Sequence, residues 1–159
     1  MDDEAVVSWQ LGRTARSFRQ VAIRCAHGFP AVTEQAPYGD DGNPFPTTYY
    51  LTCPWLVAAI SRIEAAGGVE RFSKAAAEDP ALERSLQDAD AEQRRIRPEL
   101  ALGIAGTRRP GNLKCLHAHA AFALARPEYE LGERILSEVE ERWCPDARCE
   151  VAVRGTEQS

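Results

Sequence analysis

TTYYLTCPWLVAAISRIEAAGG, residues Thr47 to Gly68, changes character at the pair Cys53-Pro54. Before that pair, β-branched and aromatic side chains favour a strand. After it, Pro54 suits the first position of a helix, and Trp55, Ala58, Ala59, Arg62 and Ile63 fall near one face. Gly67 is a natural stop. This strand-to-helix switch divides the whole chain. Upstream of it, VAIRC (21–25) and AVTEQAP (31–37) are short β-prone runs around the turn residues Gly28 and Pro30, and YGDDGNPFP (38–46) reads as a loop.

Downstream, the pattern is helical. VERFSKAAAED (69–79) is one short helix. DPALERSLQDADAEQRRIR (79–97) opens with the cap Asp79 before Pro80, carries the stripe Leu82, Leu86, Ala89 and Ile96, and is ended by Pro98. NLKCLHAHAAFALA (112–125) is read as a helix opening at Asn112. PEYELGERILSEVEERW (127–143) follows, with Leu131, Ile135, Val139 and Trp143 at successive i+4 steps. The expected fold is α+β: a small N-terminal antiparallel sheet of two or three short strands, followed by four or five packed helices. Residues 1–19 form a lead-in, 20–150 a single α+β domain and 151–159 a flexible tail.

A chain of 159 residues suits one domain with a real core. Its 44% hydrophobic and 27% charged residues are ordinary for a soluble globular protein. The longest apolar run, WLVAAI, is far shorter than the roughly 20 residues that span a bilayer, so no membrane role is expected. MDDEAVVSW is acidic at its start and lacks the basic-then-apolar pattern of a signal peptide. The expected location is therefore cytoplasmic. In that compartment five cysteines point to ligands, redox groups or buried small hydrophobes rather than disulfides.

The net charge of −5 argues against a general nucleic-acid binder. Charge is uneven, however. Six basic residues stand against one acid between Arg94 and Lys114, and eight acids against three arginines between Glu128 and Glu150. The basic stretch suits a small anion or an acidic protein partner, and its simplest reading is a solvated face.

The chemistry-bearing groups are thiols and imidazoles. Cys53 precedes a helix start, where backbone N–H groups and the helix dipole favour a thiolate. A thiolate both binds metals and attacks electrophiles. In KCLHAH, Cys115 and His119 stand at i and i+4 and share a helix face. Cys115 and His117 can act together only if the helix starts later, with Cys115 still in the loop. Regular spacing puts His117 among Leu113, Ala120, Ala121 and Leu124, an apolar face that more often holds a hydrogen-bonded core histidine. Arg108, Arg109 and Lys114 place positive charge at this helix start, which lowers a thiol pKa and offers an anion site. Cys25 sits at a strand-to-turn position in RCAHG, with His27 beside it. Cys144 and Cys149 form a C-x4-C pair after the last long helix. The strong C-x2-C zinc signal is missing.

Four segments together resemble domain-of-unknown-function family 501, a bacterial and mainly actinobacterial family. They are Arg24-Cys25 with Gly28, Pro30 and Val32; Asp41-Gly42 with Pro44 to Thr47 and Tyr49 to Pro54; Ser61-Arg62 with Glu64-Ala65 and Gly67; and Lys114 to His117. The resemblance spans residues 20–126 and brings no established activity. It implies that the position of Cys53 can hold cysteine or histidine, an exchange that a zinc site tolerates and a nucleophile does not. On that ground Cys25, Cys53, Cys115 and His117 are the preferred metal tetrad, with His119 and Cys144 as alternative ligands.

A Cys3His zinc site would be structural if all four ligands are protein groups. It would be hydrolytic if water replaces one, with Tyr49, Tyr50 and Glu64 as candidates beside it. An iron–sulfur cluster on Cys25, Cys53, Cys115 and Cys144 is a second reading. A third is a metal-free thiol enzyme or anion-binding module using Cys115, His117 and the basic loop. An interaction protein with buried cysteines is the plainest reading.

Overall fold

The computed structural model describes residues 1–109 and 113–157. Three antiparallel strands, β1 (Phe18–Arg24), β2 (Pro30–Gln35) and β3 (Tyr49–Leu51), lie in the order β1-β2-β3. One helix, α1 (Asp3–Leu11), precedes them. Six follow: α2 (Pro54–Ala65), α3 (Gly68–Glu78), α4 (Pro80–Ile96), α5 (Leu116–Ala125), α6 (Glu130–Ser137) and α7 (Glu150–Glu157). The fold is α+β as expected, with more helices than the four or five expected. No helix is long and apolar enough to cross a membrane among the described residues.

The central strand is β2, and all but one of its residues are buried. Its register sets Val32 against Leu51 and Arg24 against Pro30. The helices begin where local chemistry allows. Asp79 caps α4 by accepting from the Ala81 N–H at 3.0 Å, and Pro54 and Pro80 open α2 and α4. The expected cap Asn112 lies outside the described residues. In place of such a cap, α5 opens one residue after Cys115.

α5 is the hub. It is buried on nearly every side and packs against β3, α2 and α6, as a helix apolar all round should. Gly132 of α6 allows the close approach of α5. A Cβ there would stand 2.5 Å from the Ala123 Cβ and 2.9 Å from the His119 carbonyl oxygen.

Two expected helical faces are corrected. α2 buries Leu56, Ala59 and Ile60, leaving Ala58 and Arg62 exposed. The Trp55 indole N–H donates to the Glu141 carbonyl at 2.7 Å, which holds that side chain at the rim rather than in the core. The stretch 127–143 is helical only to Ser137, so Val139 and Trp143 fall beyond it. Glu138, Glu140 and Glu141 there oppose the negative end of the helix dipole.

The lead-in and the tail are helical over Asp3–Leu11 and Glu150–Glu157, and these two helices touch. Within the basic stretch, Arg97 is only 4% exposed, and its guanidinium donates to the Gln35 carbonyl, pinning the end of α4 to β2.

Candidate functional site

Glu64, Cys115 and His117 bring a carboxylate oxygen, a sulfur and a ring nitrogen within 4.8 Å of one another, and this is compatible with a metal site. The arrangement follows from where α5 starts. Cys115 is extended (φ −148°, ψ 117°) and stands just outside the helix with no capping bond from its side chain. That frees its side chain to turn toward His117, the second residue of α5, with Sγ 3.7 Å from Nδ1. The later helix start that Cys115 and His117 needed is therefore present.

Glu64 reaches across from α2. Its Oε2 accepts the otherwise unsatisfied Leu116 N–H at 2.8 Å, and its Oε1 lies 3.3 Å from His117 Nδ1. On the far side of the ring, His117 Nε2 lies 3.1 Å from the Val57 carbonyl and 3.0 Å from Ser61 Oγ. A carbonyl only accepts, so Nε2 carries a proton and Nδ1 faces the sulfur and the carboxylate.

The electrostatics are those of a coupled pair. Burial pushes the Cys115 thiol up. The hydrogen bond from His117, the Ala118 N–H and the imidazolium charge outweigh it, so its pKa lies below the ordinary thiol value. His117 moves up, chiefly through its bond to Cys115, against the opposing pull of burial. Lys114, exposed beside them, is the cation nearest in sequence.

These groups open into a cleft of about 580 Å³ between β3, α2 and the start of α5. Tyr49, Tyr50, Val57, Ser61 and Lys114 help to line it. Tyr50 is held by the Arg13 guanidinium, whose Nη2 lies 3.3 Å from its hydroxyl.

The expected tetrad is divided in this structure. No three of Cys25, Cys53, Cys115 and His117 bring their ligand atoms within 4.8 Å. Cys25 is half-buried at the end of β1, and Cys53 is buried at the start of α2. Burial pushes the Cys53 thiol up and outweighs the N–H groups of Leu56 and Trp55, so the helix start does not make it a thiolate. Cys144, like Cys149, is buried.

His119 is the core histidine. It is fully buried, and its Nδ1 is hydrogen-bonded to the Tyr129 hydroxyl at 2.7 Å. Arg108 and Arg109 are exposed after the 3-10 turn Ile104–Gly106. Ser61 had no assigned part in the sequence reading, and Glu64 had only a general one. Both stand in the SR-x-E motif of α2: Ser61 lies one turn after Val57 and lines the cleft, and Glu64 lies seven residues after it and meets the start of α5.

An α+β protein with a thiol, an imidazole and a carboxylate gathered at one helix start is what this fold and cluster define. The chain matches the family described as protein of unknown function (DUF501) over residues 21–102, and it belongs to that family. The match takes in β2, β3, Ser61 and Glu64, while Cys115 and His117 lie beyond it. No curated protein and no solved structure matches the chain.

Proposed function

We propose that the protein is a thiol-dependent enzyme in which Cys115 is the nucleophile and His117 its acid–base partner. The observation that carries this reading is the Cys115 sulfur at the open start of α5, 3.7 Å from His117 Nδ1 and facing a cleft. A thiolate held beside an imidazolium attacks an acyl carbonyl carbon, forming a thioester as the bond from that carbon to the leaving group breaks. The imidazolium then gives its proton to the leaving group. Water attacks the thioester with His117 as base, returning the free thiol. Val57 and Ser61 hold the ring in place for both proton transfers. The aromatic and aliphatic lining suits an apolar acyl group, and Lys114 at the rim suits an anionic substrate end.

The test is the alkylation rate of each cysteine by iodoacetamide across pH, read by mass spectrometry. Cys115 should label first, and its pH midpoint should lie below that of an ordinary thiol. His117→Ala should raise that midpoint, costing about tenfold in rate at neutral pH for each unit of pKa regained. Labelling of Cys115 no faster than of the exposed model thiol cysteine would sink the reading.

A second reading rests on the same three ligand atoms within 4.8 Å. Zinc held by Glu64, Cys115 and His117 would keep a position for water, the pattern of hydrolytic sites. The Nε2–H of His117 on the Val57 carbonyl is the outer hydrogen bond that orients a metal-ligating histidine. Labelling of Cys115 that begins only after a chelator is added would select this reading.

A further inference from the structure

The remaining four cysteines lie on neighbouring segments elsewhere. Cys25 opens the turn after β1: its N–H donates to the Phe29 carbonyl at 2.9 Å, and Gly28 N–H returns to the Cys25 carbonyl at 2.9 Å. Next to it, the Ala31 carbonyl accepts from Thr52 at 2.9 Å and from Cys53 at 3.3 Å. The first residues of β2 therefore run between Cys25 and Cys53.

Two side chains bring the C-terminal segment to the same place. Gln10 Nε2 contacts both the Pro30 carbonyl, at 2.7 Å, and Cys149 Sγ, at 3.4 Å. His27 Nε2 lies 2.6 Å from the Cys144 carbonyl. The Arg148 guanidinium also sits 4.7 Å over the Trp55 ring, two residues past Cys53. Cys53 lies near enough to Cys25 and Cys149, and Cys149 to Cys25 and Cys144, for a thiolate on one to raise the pKa of the other.

The sulfurs are offered donors. His27 N–H points at Cys25 Sγ at 3.4 Å, and Gln10 at Cys149 Sγ. The N–H groups of Trp55 and Leu56 face Cys53. N–H groups aimed at sulfur ease formation of the thiolate that binds a metal, while burial holds the Cys53 and Cys149 thiols protonated without an ion. All five cysteines are free thiols.

We propose that Cys25, Cys53, Cys144 and Cys149 form a tetrathiolate site for one divalent ion of the zinc class. The role is structural, since four protein ligands close the shell. In binding, four S–H bonds are exchanged for four metal–sulfur bonds, and the protons leave to solvent. The resulting charge of −2 on the centre is met by the N–H donors and by Arg148. No three of these sulfurs approach within 4.8 Å of one another here. A zinc-class ion holds sulfurs about 3.8 Å apart, so binding draws the segment 144–149 inward against β2. The site is separate from Cys115, and its fate does not depend on the thiol chemistry proposed above.

The experiment titrates reduced, full-length protein with Co2+ under anaerobic conditions and reads the thiolate-to-cobalt charge-transfer band. One cobalt per chain, tetrahedral d–d bands and displacement by Zn2+ are expected. Cys115→Ser should bind as the parent does, and Cys149→Ser should lose the band with an unchanged far-UV spectrum. Native thiol counting guards against a misfolded variant: in the zinc-loaded parent a chelator should release four further thiols. No cobalt uptake, a coloured iron–sulfur species, or loss of the band in Cys115→Ser but not in Cys149→Ser would overturn the proposal.

Discussion

His119 is fully buried, and its Nε2 has no hydrogen-bond partner. The Tyr129 hydroxyl meets Nδ1, so a protonated ring would leave a buried N–H unpaired at Nε2. Burial pushes its pKa from 6.5 down to about 4. The unfolded chain therefore takes up this proton first as pH falls. Stability is unaffected above about pH 6.5, then drops by about 1.4 kcal/mol per pH unit until the folded ring also titrates. Urea unfolding at a series of pH values measures that slope. His119→Gln keeps a polar partner for Tyr129 and should flatten it, and an unchanged slope would place its origin in another group. At the same scale, KCLHAH shows what a sequence conceals. The i, i+4 relation of Cys115 to His119 holds only if both are helical. Cys115 instead stands outside the helix, which hands the cleft to His117 and the core to His119. A helix start three residues later than expected, at Cys115 rather than Asn112, exchanged the roles of two histidines.

Among elements, the contact of α5 with α6 is the least forgiving. Gly132→Ala would set a methyl group against Ala123 and the His119 carbonyl. Overpacking of this kind costs about 1–3 kcal/mol, so thermal unfolding should begin at a lower temperature. A variant as stable as the parent would show that the two helices can separate without loss. Glu64 joins α2 to α5 by capping it from a distance. Glu64→Ala should cost about 1 kcal/mol in chemical unfolding through the lost cap. The strands, α2, α3 and α4 were legible because turn residues, N1 prolines and periodic apolar positions are local signals. The Glu64–Leu116 bond was not, since 52 residues separate its partners. Nor was the early end of α6, where apolar spacing continued past the point at which clustered glutamates end the helix.

At the scale of the whole molecule, the chain closes on itself. α1 meets α7, and the thiols at 144 and 149 return to the sheet that carries the thiols at 25 and 53. The C-x4-C pair was visible in the sequence, but its destination was not, because side chains such as Gln10 and His27 set it. The contact of Gln10 with Cys149 spans 139 residues. Ribosomes add about 5–20 residues per second, so roughly 7–30 s pass between the synthesis of its two ends. The sheet and α2 can assemble during that interval, while Cys25 and Cys53 wait for Cys144 and Cys149. The last step of folding thus waits for residues 144–149 to be made, and until then the nascent chain carries only half of the proposed thiol cluster.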